Sequence, residues 1–162
     1  MISVISFIAT TAVTLVNSVR AQARNTKRNS DVAQLIKAFQ LGADNSGGVL
    51  PLSGRDVDNE CICVSTFCEQ SWGPAGWGDL GYNVAVDNFI GPYIKKPQTL
   101  DSGWLPLRGY LYCNPKNFDK GVGAYLLWFL EADEVTSSVC GPGYSYVDAS
   151  PDFLLCQARL DD

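Results

Sequence analysis

Residues 1–41 read MISVISFIATTAVTLVNSVRAQARNTKRNSDVAQLIKAFQL, with no Gly, no Pro and no charged side chain before Arg20. This run predicts one unbroken helix over about residues 2–41. At 1.5 Å per residue it would be about 60 Å long, more than the width of a small domain. Half of it must therefore find burial outside its own domain, in lipid, in partner helices or in both. After Leu41 the chain becomes rich in Gly, Pro, Cys and aromatic residues. The 162 residues thus divide into a helix, 1–41, and a globular head, 42–162, large enough to bury a core. Residues 1–19 are the membrane or filament-core half of the helix and 20–41 the amphipathic half.

The first half is apolar but diluted. Eight of its first eighteen residues are Ile, Val, Leu or Phe, and seven are Ser, Thr or Asn. The eight favour bilayer insertion by only about 2–5 kcal/mol, and the span is at the short end for a membrane helix. The dilution is ordered. Ser3, Ser6, Thr10, Thr14 and Asn17 fall on one stripe, while Val4, Ile8, Ala12, Leu15 and Val19 lie opposite with Ile5. Small hydroxyl residues on one face allow close helix–helix approach, so this half is expected to pack on partner helices. Arg20, Arg24, Lys27 and Arg28 then form a basic collar, expected to be solvated and to meet anionic headgroups. Val32, Leu35, Ile36 and Phe39 give the i, i+3, i+4, i+7 stripe of a helix packed on the head. Gly42 is expected to cap the helix, with Lys37 near its negative end.

Charge is divided along the chain. Residues 1–41 hold five basic side chains and one acid, net +4; the remainder holds seven basic and sixteen acidic, net −9; together they give −5. An acidic head is a poor match for nucleic acid, so no nucleic-acid contact is expected. There is no histidine, which excludes Ser-His-Asp and Cys-His catalysis. Carboxylate pairs such as Glu131 with Asp133 or Glu134 are conceivable acid/base partners, and a solvated turn after an apolar strand is the simpler reading. The chain is expected to be no enzyme and to need no cofactor.

Six cysteines, Cys61, Cys63, Cys68, Cys113, Cys140 and Cys156, in a loop-rich head indicate disulfides and an oxidising compartment. Fifteen pairings are open. Zinc fits poorly, since Cys61-x-Cys63-x4-Cys68 lacks knuckle spacing. Basic residues flanking an apolar span usually mark the cytoplasmic side, which conflicts with an oxidised head on that side.

Residues 42–82 read as irregular. Trp72, Trp77 and Tyr82, set among glycines, form either an aromatic surface for glycan or peptide or a cover over the sheet. Asp56-x-Asp58-x-Glu60 has the alternating acids of a calcium loop, but Cys61 stands where the EF-hand requires Gly, so no metal is expected. Asp87–Ile94 is a turn or short helix. Three strands are expected in Trp104–Cys113, Ala124–Ala132 and Phe153–Leu160, the second, AYLLWFLEA, being central. Together they predict an α+β fold, with a small antiparallel sheet laid on the second half of the helix.

Residues 15–41, continuing into Asp44-Asn45-Ser46-Gly47-Gly48-Val49-Leu50-Pro51, resemble the N-terminal helix of bacterial type IV pilins and pseudopilins. In that family an apolar stretch runs into an Asn-Ser-Ala-Arg-like segment, then Ala-Arg-x-x-Lys-Arg and an Asp-containing amphipathic helix. Here Asn17-Ser18, Arg20, Ala23-Arg24, Lys27-Arg28, Asp31 and the Val32–Phe39 stripe follow in that order. The family's basic leader, methylated residue and glutamate have no counterpart after Met1, which leaves a misplaced start, a truncated chain and a degenerate member of the family all open. The resemblance implies a pilin-like fold, a filament or secretion subunit, and an inner-membrane anchor with the head outside the cytoplasm. It further implies homo- or hetero-oligomers through the helix, and a surface filament. It implies a Cys140–Cys156 disulfide, which leaves Cys113 to pair with Cys61, Cys63 or Cys68. It also keeps calcium at Asp56, Asp58 and Glu60 as a weak candidate. The rival expectation is a secreted or membrane-tethered glycan- or peptide-binding domain. Its signal peptide would be cleaved after Ala21-Gln22-Ala23.

Overall fold

The computed structural model describes residues 2–54, 61–70, 78–79, 81–99, 107–118, 120–131, 140–141, 144–149 and 153–161. Within that set, side chains are described from Val16 onward, apart from those of 69–70, 78–79, 107, 118 and 145–149.

Helix α1 runs unbroken over Ile2–Asn45. It passes through Gly42, which does not cap it. A Cβ at Gly42 would lie 2.4 Å from Phe89 Cε1, so the glycine is there to admit a ring against the helix. The stop comes later. Gly47 and Gly48 adopt left-handed φ of 71° and 85°, and Gly48 N–H donates to Ala43 C=O at 2.8 Å, closing the last turn. Lys37 accordingly lies outside the last turn, which holds no basic residue.

The strands are β1 (Ile62–Cys63), β2 (Glu69–Gln70), β3 (Gly78–Asp79), β4 (Leu107–Arg108), β5 (Tyr110–Phe118), β6 (Gly121–Glu131), β7 (Ser145–Ala149) and β8 (Phe153–Arg159). A short helix, α2, spans Val84–Ile90. Asn83 caps it, its side-chain oxygen accepting from Ala85 N–H at 2.8 Å. The main sheet has the order β1-β5-β6-β8-β7, with antiparallel neighbours throughout, and β3-β2-β4 make a smaller one. The expected α+β arrangement, a long helix on a small antiparallel sheet, is observed. The sheet has five strands rather than the three expected, because the short β1 and the polar β7 add one strand at each edge.

Alternate residues of β6 go to opposite faces. Ala124, Leu126, Trp128 and Leu130 face α1, joining Val32, Leu35, Ala38 and Phe39. Phe39 stacks on Tyr112 with ring centroids 4.5 Å apart, and Phe89 of α2 lies 6.2 Å from Phe39. Leu127 and Phe129 face the other way, into a second cluster with Leu111, Leu155, Cys63, Cys68 and Cys113. Burial on both faces explains why AYLLWFLEA reads as a continuous apolar run instead of an alternating one.

The three disulfides are Cys61–Cys113, Cys63–Cys68 and Cys140–Cys156, and no described cysteine is free. The first follows from strand register. Ile62 pairs with Tyr112 and Cys63 with Leu111, so Cys61 falls opposite Cys113. Cys140–Cys156 lies in the cluster facing α1, while the other two lie in the far cluster. The two sides of the central sheet are thus both covalently tied.

Candidate functional site

The apolar contact between α1 and the sheet gives way to a polar one toward the helix N-terminus. Arg24, Arg28, Asp31, Leu35 and Phe39 share one face at helical spacing, so the line that carries the core continues as charge. On the sheet side it meets Glu131, the last residue of β6. Arg24 grips the Glu131 carboxylate with two bonds, Nε to Oε1 at 2.7 Å and Nη2 to Oε2 at 2.5 Å. Arg28 Nη1 donates to the same Oε1 at 2.9 Å and to Asn25 Oδ1 at 2.9 Å. The Asn25 amide completes the strand end. Its Nδ2 donates to Glu131 C=O at 2.8 Å, and its Oδ1 accepts from Glu131 N–H at 3.0 Å. One helix side chain thus satisfies both backbone groups at the end of a strand.

Two further bonds lock the rotation of α1. Trp128 Nε1 donates to Asn29 Oδ1 at 3.1 Å, and the Tyr110 hydroxyl donates to Asp31 Oδ2 at 3.0 Å. Asp31 also pairs with Lys27 one turn before it. Burial is the largest effect on the Glu131 carboxyl and would raise it. The hydrogen bonds and charges of Arg24 and Arg28 together outweigh burial and hold the group below its ordinary value. The same bonding pushes Arg24 further up. Burial, helped by Asp31, pushes the Tyr110 phenol up, and burial does the same for Tyr112. Arg24, Arg28 and Glu131 thus form an ion-paired clamp between helix and strand.

For Arg28, and in part for Arg24, this corrects the expectation of a solvated collar, while Arg20 and Lys27 are exposed. Arg28 is 5% exposed and turned inward. Arg24 is tied to Glu131 and Lys27 to Asp31, so of the four collar residues only Arg20 is exposed without a described ion pair. Glu131 is likewise no solvated turn residue. Its neighbours Asn25, Asn29, Trp128 and Tyr110 had no part in that reading, because each looks ordinary in sequence. The helical phase shared by Arg24, Arg28 and Leu35 was the available signal.

Beyond Arg24 the helix continues for 22 residues to Ile2, about 33 Å. Val16 and Val19 are 48% and 63% exposed there, and Asn17 is exposed. Positions Ser3, Ile5, Ser6, Ile8, Thr10, Thr14 and Leu15 lie within α1, with side chains outside the described set. The Ala21-Gln22-Ala23 segment lies inside the same continuous helix. Among the described residues no helix is long and apolar enough to cross a membrane, so the span expected for residues 1–19 is not found.

Tyr82 is 50% exposed, but Lys96 Nζ sits 4.3 Å over its ring and its hydroxyl donates to Thr66 C=O at 2.9 Å. Lys96 in turn pairs with Asp87 at 2.7 Å. Trp72, Trp77, Asp56, Asp58, Glu60, Asp133 and Glu134 lie outside the described residues. Among the described residues, no group of three or more His, Cys, Asp or Glu is placed to hold a metal ion.

The chain matches no protein-family model, no curated protein and no solved structure.

Proposed function

We propose that the chain is a non-enzymatic structural subunit, pilin-like or pseudopilin-like in build, of a surface filament or secretion assembly. It joins other subunits through the N-terminal half of α1 and holds its disulfide-bonded head outside the cytoplasm. The carrying observation is a helix that runs about 33 Å past the clamp to its own head, with Val16 and Val19 exposed. Helices draw most of their stability from tertiary packing of an apolar face. A segment that runs this far past the clamp gains that packing from other copies. The ordered series from Asn17 to Pro51 supports the pilin-like form, and three disulfides suit an oxidising compartment.

The clamp gives this reading a mechanical sense. Arg24, Asn25 and Arg28 fasten the helix at its exit, so a load on the N-terminal half passes into β6, the central strand. The test is the mass of the full chain by light scattering in detergent-free buffer, with electron microscopy of the same sample. Assemblies well above the 17.6 kDa monomer are expected. A monodisperse monomer at every concentration would refute the proposal.

A further inference from the structure

We propose that Arg28 holds a small monovalent anion, of the size of chloride, against its Nη2 nitrogen, where α1 meets the end of β6. The site is independent of the subunit reading above, which stands or falls on other observations.

Arg28 is buried, and only half of its guanidinium fork is used. Its Nη1 donates to Glu131 Oε1 and to Asn25 Oδ1, each at 2.9 Å. Its Nη2 is buried too, and no described residue offers it an acceptor. A buried donor is almost always paired with protein, water or an ion, because leaving it dry gives up its hydration for nothing. The acceptors of the cluster are already engaged. Glu131 Oε1 receives Arg24 Nε as well as Arg28, and Oε2 receives Arg24 Nη2. The Asp31 carboxylate receives Lys27 and the Tyr110 hydroxyl.

Charge favours an anion over a water molecule. Among the described residues, the cluster sets three cations, Arg24, Lys27 and Arg28, against two carboxylates, Glu131 and Asp31. Lys27 pairs with Asp31 and Arg24 takes two bonds of Glu131, so Arg28 is left to share a carboxylate instead of having its own. Water relieves Lys27 and Arg24, whose side chains are 54% and 33% exposed, but that of Arg28 is 6% exposed. A charge taken out of water is costly unless it is paired. Water would give Nη2 an acceptor and no charge, whereas a monovalent anion gives both. One nitrogen suits a compact, single-atom anion. A phosphate wants several donors and brings more negative charge than the cluster's excess. Arginine is needed here because its rigid fork serves Glu131 with one nitrogen and the anion with the other, which a lysine ammonium cannot do in the same way.

The experiment follows urea unfolding of the full chain, disulfides intact, in sodium chloride and in sodium gluconate at equal ionic strength. Gluconate is too large for a buried site, so the comparison removes general screening. The wild-type midpoint should rise in chloride over gluconate. Once chloride passes the dissociation constant of the site, the unfolding equilibrium constant should fall about tenfold for each tenfold rise in chloride. Arg28→Lys keeps the charge, removes Nη2 and should lose this chloride-specific rise. Arg20→Gln, at an exposed position outside the clamp, should keep it. No chloride-specific rise in wild type, an equal rise in Arg28→Lys, or its loss in Arg20→Gln would each overturn the inference. Should Arg28→Lys fail to fold, wild-type crystals soaked in bromide decide the matter. An anomalous peak at hydrogen-bond distance from Arg28 Nη2 is expected, and its absence there would overturn the site.

Discussion

Replacing Glu131 with Gln keeps the shape of the clamp and removes its charge. The carboxylate receives three charge-assisted bonds, two from Arg24 and one from Arg28. Bonds to charged groups contribute about 1.5–3 kcal/mol each, and removing one partner of a buried ion pair costs about 3–5 kcal/mol. Two features reduce the effect. The Glu131 side chain is 18% exposed and that of Arg24 33%, so water replaces part of what is lost, and the glutamine oxygen still accepts one bond. Arg28, with a 6% exposed side chain, has no such relief. A loss of about 2 kcal/mol is expected, about 4–8 °C in Tm for a chain of this size. Urea unfolding with the disulfides intact should show a lower midpoint at unchanged slope.

The sign of the pH dependence follows from the same bonds. Glu131 is depressed in the folded state relative to its ordinary 4.5. Its stabilising contribution is therefore complete above pH 4.5 and is lost as pH falls through the lower, folded value. Wild type should lose stability on that acid limb, and Glu131→Gln should lose less. A variant within about 0.5 kcal/mol of wild type, the range of an ordinary surface change, or with the same acid limb, would refute the clamp.

Other perturbations probe other parts of the fold. Gly109→Ala should destabilise by about 2–4 kcal/mol in chemical unfolding. Gly109 has φ 99°, and a Cβ there would lie 2.5–2.6 Å from Ser65 Oγ, Cys68 Sγ and Phe67 O. Replacing Cys140 and Cys156 together by Ser opens a loop of separation 16 and should lower stability by about 3 kcal/mol on the chain-entropy scale, read as the urea midpoint. Tyr110→Phe removes the hydroxyl that donates to buried Asp31 and should cost about 1–3 kcal/mol, with oligomer mass unchanged.

The helix and its partner strands were legible because their signals are local. No residue in 1–41 breaks a helix, and Ala124–Glu131 is too apolar to lie anywhere but in the centre. The helix end was misread because Gly42 looks like a cap, and only the tertiary approach of Phe89 shows that it is a contact. β7, Ser145–Ala149, carries Ser, Tyr and Asp with no apolar alternation, so its pairing with β8 is a property of the sheet and not of its own sequence. The disulfide partner of Cys113 depended on the register of a two-residue strand, which no propensity sets. The clamp was half legible. The phase of Arg24 and Arg28 with Leu35 was available, but basic residues beside an apolar run look like a solvated collar until the glutamate at the far end of β6 is seen to meet them.

The claim that the two halves of α1 are buried by different molecules has a direct readout in amide hydrogen exchange along the helix. Residues 28–45, packed on their own sheet, should be protected at any dilution, while residues 2–23 should be protected in concentrated protein and exchange rapidly once diluted. Protection over 2–23 that is strong and independent of concentration would mean that the chain covers this segment by itself, and the subunit proposal would be wrong.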